Sequence, residues 1–161
     1  MKVFVSSTYD DLKSHRAVVE ASLVKSGYEF NGMEHFTAEP RPPLATCLEA
    51  VRRSDVFVGI LGTKYGSCPP GSKLSYSERE YLLAHALRKP VFVFLIDEQG
   101  ARIAPQYFET NPKNIMRLEK LKRMVLKRHN IARFTSEDNL AWQILASLRI
   151  AEMRAKEAGL P

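Results

Sequence analysis

Ser75, Ser77, Glu78 and Glu80 crowd the start of a segment that reads as a helix through Arg88, stops at Lys89-Pro90 and feeds the apolar strand Val91–Ile96. A carboxylate in the first turns of such a helix can attack a sugar carbon or stabilise positive charge there, provided it is ionised and close to a bound ribose. Ser75-x-x-Glu78 and Ser77-x-x-Glu80 are both capping boxes, and one helix has a single N-cap. With Ser75 as the cap, Glu80 is left on the face of Leu83, Ala84 and Leu87, which lie three, four and seven residues further on. It is then free for chemistry. With Ser77 as the cap, Glu80 is structural. The apolar stripe favours Ser75 and makes Glu80 the catalytic candidate.

Two other segments supply candidate binding groups. Ser6, Ser7, Thr8 and Tyr9 follow the first apolar strand and lead into a helix, where hydroxyls and backbone N–H groups can hold phosphate or ribose oxygens. Capping of that helix by one of them, or by Asp10, accounts for the same residues equally well. Gly62 and Gly66 let the loop after a central strand approach a ligand, with Tyr65 placed to stack on a base. An ordinary strand-to-loop turn is the alternative, and no Gly-Lys-Ser/Thr ending follows, so the loop is not a P-loop. His15, His35, His85 and His129 are scattered without metal-binding spacing, and no Gly-x-Ser-x-Gly elbow marks a serine hydrolase. Cys47 and Cys68 stand alone and read as free thiols of a cytosolic protein. No metal or resident cofactor is expected.

The elements that must position these groups alternate with little spare sequence. The 161 residues suit one domain, 45% of them hydrophobic, with no apolar run long enough to span a membrane. Strands are expected at 2–6, 28–33, 55–61, 91–96 and 131–134. Helices are expected at 10–25, 44–53, 75–88 and 114–129, with a last one capped by Ser136. Three prolines in Glu39–Pro43 exclude regular structure there. This βα alternation predicts a flavodoxin-like three-layer fold, a five-stranded parallel sheet in the order 2-1-3-4-5. The crevice then lies outside the C-terminal ends of the first and third strands, where the three candidate segments converge. Residues 1–155 form the domain and 156–161 read as a linker or truncated end. The net charge of +6 gathers between Lys113 and Arg133. Leu118, Leu121 and Val125 give that helix a buried stripe, so its charges read as a solvated face and nucleic acid is not an expected partner.

Taken together, three motifs resemble a family of domains of unknown function. They are Val3–Leu12 with Arg16, then Ser54–Gly62 with Tyr65 and Gly66, then Ser75-x-Ser77-x-x-Glu80-Tyr81-x-x-Ala84 with Lys89-Pro90-Val91. The resemblance covers about residues 2–96. It implies a TIR-like fold, usually at the N-terminus of larger proteins, often before a STAND/NACHT-type ATPase and helical repeats. The fold is similar to that of TIR domains, which serve as signalling modules and, in many members, as NAD glycohydrolases. It is also similar to that of nucleoside 2-deoxyribosyltransferases, whose catalytic glutamate is followed by Ala and Lys at the spacing of Glu80, Ala84 and Lys89. Leu82 stands where those transferases usually have Gly.

The resemblance implies a cytoplasmic effector or signalling domain, in the setting of prokaryotic defence, that cleaves the N-glycosidic bond of NAD or a related nucleotide. Glu80 would be catalytic, and Ser6, Ser7, Thr8, Tyr9, Gly62, Tyr65, Gly66 and Ser75 would bind the nucleotide, a substrate rather than a cofactor. A non-catalytic self-association module and a nucleoside 2-deoxyribosyltransferase-like enzyme are the alternatives. Self-association and fusion to further domains are the implied partnerships.

Overall fold

The computed structural model describes residues 1–33, 43–157 and 159. Its elements run β1 (Lys2–Ser7), α1 (Lys13–Lys25), β2 (Glu29–Asn31), α2 (Pro43–Arg53), β3 (Val56–Leu61), α3 (Tyr76–Ala86), β4 (Val91–Ile96), α4 (Pro112–Arg128), β5 (Ala132–Phe134) and α5 (Glu137–Glu157). A single 3-10 turn, Pro105–Tyr107, interrupts the segment between β4 and α4. The strands form one parallel sheet in the order β2-β1-β3-β4-β5. This is the flavodoxin-like arrangement the alternation predicts. β1 and β3 are neighbours, with Phe4 beside Phe57 and Ser6 beside Gly59.

Side chains of a strand alternate between faces, and both faces of this sheet are apolar because helices cover both. Val3 and Val5 of β1 and Val56, Val58 and Ile60 of β3 pack with Leu12, Val19 and Leu23 beside α1 and with Leu140, Ile144 and Leu148 of α5. Phe4 and Phe57, one residue out of phase, pack on the other side with Val51 of α2, Tyr81 and Ala84 of α3, and Leu118, Leu121 and Val125 of α4. Lys120, Arg123 and Lys127 of α4 are exposed, the solvated face its periodicity predicts.

Several boundaries differ from the sequence expectation. α1 starts at Lys13 rather than Asp10, and no side chain caps it. Asp10 to Leu12 instead make a turn closed by the Leu12 N–H on the Tyr9 carbonyl, because Asp11 is engaged elsewhere. β2 is only three residues long. α3 ends at Ala86, and Arg88 takes a left-handed φ of 54°, so Leu87 projects outward, 45% exposed, rather than joining the core stripe. α4 starts at Pro112, because the Asn111 side chain accepts from the N–H groups of Lys113 and Asn114 and Pro suits the first helical position. Most of the proline-rich loop expected at Glu39–Pro43, and His35, lie outside the described residues, while Pro43 opens α2. The last helix reaches Glu157; 158, 160 and 161 lie outside the described residues.

Candidate active site

The period of β1 places its two terminal serines on opposite faces of the sheet edge. Ser6 shares the face of Phe4 and meets α3, and Ser7 shares the face of Val3 and Val5 and meets α1. The Ser6 hydroxyl donates to Glu80 Oε2 at 2.5 Å. The Ser7 hydroxyl accepts from Arg16 Nη1 at 2.7 Å and donates to the Thr8 carbonyl at 2.6 Å. Arg16 Nη1 also donates to the Val5 carbonyl at 3.4 Å. Glu80 and Arg16 are both buried, and the guanidinium is close enough to favour the Glu80 carboxylate. From α2, the Cys47 thiol hydrogen-bonds Glu80 as well.

Burial dominates the electrostatics. It pushes the Glu80 carboxyl up from its ordinary 4.5 to about 7, against the stabilising effects of the Ser6 hydroxyl, the Arg16 charge and the Cys47 thiol. Burial, followed by the neighbouring Glu80 charge, pushes Cys47 up to about 12, so it stays a thiol and a donor. A carboxyl that ionises near neutrality, fixed by three donors or charges, is suited to meet charge developing on a ligand.

Glu78, two residues earlier, is equally buried but differently engaged. Ser75 is the N-cap of α3, its hydroxyl accepting from the Glu78 N–H at 3.3 Å. The reciprocal half of the capping box is relayed through Tyr65. Its hydroxyl accepts from the Ser75 N–H at 3.1 Å and donates to Glu78 Oε2 at 2.5 Å. Burial, together with the hydrogen bond to Glu78, pushes the Tyr65 hydroxyl up to about 12.

A third knot joins the β1 and β3 loops. Asp11 accepts from the Thr8 hydroxyl, from the Thr63 N–H at 3.1 Å and from the Lys64 N–H at 3.2 Å. A side chain at Gly62 would collide with that carboxylate. Gly66 has a φ of 86°, and an added Cβ would lie 2.8 Å from the Thr8 methyl. Both glycines are therefore required by close approach of the two loops.

A cavity of about 420 Å³ opens over this edge. Of the residues singled out by sequence, Ser6, Ser7, Thr8, Tyr9, Gly66 and Glu80 line it. Gly62, Tyr65 and Ser75 do not. The expected stacking of Tyr65 on a base is corrected by its position, 1% exposed in the core under the relayed cap. Tyr9 is instead the exposed aromatic of the wall, 41% accessible, with the Lys13 ammonium 5.7 Å from its ring centre. Cys47, Asp10 and Lys64 are wall residues that the sequence argument did not assign, and Arg16 entered only as part of a motif. Arg16 carried a signal nonetheless. It lies four residues after Leu12 and three before Val19, a charge on an apolar stripe, as Glu80 is on α3. Among the described residues no group of three or more His, Cys, Asp or Glu side chains could hold a metal ion.

Sheet order and helix layers define the class, an α/β domain of flavodoxin-like fold. The TIR domains of the activated Roq1 resistosome, which recognises the pathogen effector XopQ, share the fold with a TM-score of 0.61 at 14% identity, over 91% of this chain and 98% of that one. The CMP N-glycosidase BcmB of Clostridium botulinum aligns with a TM-score of 0.51 at 17% identity, over 89% of this chain and 98% of that one. The chain belongs to the family described as Domain of unknown function (DUF4062), which it matches over residues 2–149. No curated protein matches it.

Proposed function

We propose that this domain is an N-glycosidase of the TIR-like class, acting on NAD or a related nucleotide. One observation carries the reading: Glu80, buried and raised to about 7, faces a 420 Å³ cavity rimmed by the hydroxyls of Ser6, Ser7 and Thr8. In the proposed reaction the ribose C1′–N bond breaks and its electron pair leaves with the base. The Glu80 carboxylate meets the positive charge left on C1′, and water supplies the new C1′–O bond. The proton water loses goes to solvent when nicotinamide departs neutral from NAD, and to the departing base when that base leaves as an anion, as from a nucleoside monophosphate. Ser6, Cys47 and Arg16 hold the carboxylate in place, and Tyr9 offers a face for the base. The cleavage of CMP by the BcmB neighbour supports the reaction type, at the level of a shared fold. A setting in defence and fusion to an ATPase belong to the same proposal.

Base release from NAD and from nucleoside monophosphates, followed chromatographically with concentrated protein, tests it. Release that is lost in Glu80→Gln with the fold intact places the chemistry on Glu80. Equal release in both proteins, or none in either, removes it.

The competing reading, a non-catalytic self-association module, is favoured by α5. Trp142, Ile150 and Met153 share one face of that helix at 69%, 51% and 61% exposure. Sedimentation of the wild type against Trp142→Glu separates the two, since dissociation with unchanged base release leaves the enzyme reading standing alone.

A further inference from the structure

Among the described residues five charged side chains line the cavity, Asp10, Asp11, Arg16, Lys64 and Glu80, and they differ in what already holds them. Asp11 is taken by Thr8, Thr63 and the Lys64 N–H. Arg16 is bound to Ser7 and the Val5 carbonyl, and Glu80 to Ser6 and Cys47. Among the described residues the Lys64 ammonium and the Asp10 carboxylate meet no hydrogen-bond or ion-pair partner, although both belong to the same wall.

Their backbones are fixed by one knot. Asp10 precedes Asp11 in the turn before α1, and the Lys64 N–H is bonded to the Asp11 carboxylate. A cation and an anion thus flank Asp11 from the two loops without neutralising each other. An ammonium is suited to a phosphate, and a carboxylate, with two acceptor oxygens, to the paired hydroxyls of a ribose. A 5′-phosphorylated riboside carries both groups on the sugar whose C1′ Glu80 would face. A free nucleoside lacks the phosphate, and a 2′-deoxynucleotide lacks one hydroxyl.

We infer that the cavity selects 5′-phosphorylated ribosides, with Lys64 binding the phosphate and Asp10 the ribose hydroxyls. This rests on the proposed glycosidase reading for the position of C1′, but it concerns binding and is measured separately from turnover. It also sets the domain apart from enzymes that take unphosphorylated deoxynucleosides.

The experiment is calorimetric titration of the wild-type protein with CMP, cytidine and 2′-deoxy-CMP, and with AMP and adenosine, at low and at physiological salt. The expected result is that each monophosphate binds about tenfold or more tighter than its nucleoside, an advantage that shrinks with salt. Lys64→Met removes the phosphate advantage and leaves nucleoside affinity unchanged. Asp10→Asn removes the preference for CMP over 2′-deoxy-CMP. No phosphate preference in the wild type, binding of none of the five, or an equal loss of nucleotide and nucleoside affinity in Lys64→Met overturns the inference. Should this binding pattern appear without base release, the glycosidase reading fails and the inference stands. If base is released from nucleosides and nucleotides alike, with KM indifferent to Lys64→Met, the inference fails and the glycosidase reading stands.

Discussion

Glu78 and Glu80 stand two residues apart on α3 and are both buried, at 6% and 7% exposure, yet they serve different regions of the molecule. Glu78 closes a structural knot. Its partner is the Tyr65 hydroxyl, itself bonded to the helix N-cap, and neither Glu78 nor Tyr65 reaches the cavity wall. Glu80 is held by Ser6 from the end of β1 and by Cys47 from α2, and it lines the cavity. The contrast shows that burial of a carboxylate is not in itself a functional signal. What distinguishes the two is whether the partners belong to a helix cap or to separate elements that converge on open space.

The largest expected effect separates the pair by activity. Glu80→Gln should lower base release by on the order of 10²–10⁴-fold. Glu78→Gln, measured per folded molecule, should leave it within a few-fold of the wild type.

Stability against pH sharpens the contrast further. Because Glu80 is raised from 4.5 to about 7, the folded chain keeps a proton that the unfolded chain releases. This contribution is complete below about pH 4.5 and is lost as pH rises to about 7. Denaturant unfolding should therefore show wild type losing stability relative to Glu80→Gln across that window, by on the order of 3 kcal/mol. A constant difference between the two proteins would contradict the buried placement.

Tyr65→Phe breaks the other region. It strands the Ser75 N–H and removes the donor to Glu78, and should cost about 1–3 kcal/mol in urea unfolding. Nucleotide affinity should not change, since the ring is absent from the wall. Arg16→Gln removes a charge that favours ionised Glu80. The acidic limb of the pH–rate profile, where the carboxylate gains its charge, should move to higher pH. The smallest effect is expected at Leu87→Glu, within about 0.5 kcal/mol of wild type by thermal unfolding, because that side chain lies outside the core.

Much of the architecture was legible because each strand is a nearly continuous apolar run and each helix carries one stripe. The order of elements then leaves few topologies. The placement of Glu80 was legible for a partly mistaken reason. Of the expected stripe Leu83, Ala84 and Leu87, Ala84 is buried and Leu83 is half-buried against the core, but Leu87 is exposed and Tyr81 completes the buried face. Ser75 as the cap was one of two readings that spacing left open, and it is the arrangement observed. Tyr65 was misplaced because a loop tyrosine has no periodicity to show its direction. Its burial depends on the β3 loop folding under the segment that carries Glu109, whose carboxylate accepts from the Tyr65 N–H at 3.2 Å. Cys47 reaches Glu80 only through the packing of α2 beside α3, a tertiary relation no local pattern reports.

The most direct test of the division between the two carboxylates is a ¹³C titration of the Glu80 side-chain carboxyl, assigned by its loss in Glu80→Gln and repeated with a nucleoside monophosphate present. The account predicts a midpoint near 7 in the free protein and a displaced midpoint once nucleotide occupies the cavity. A midpoint near 4.5, unmoved by nucleotide, would contradict it.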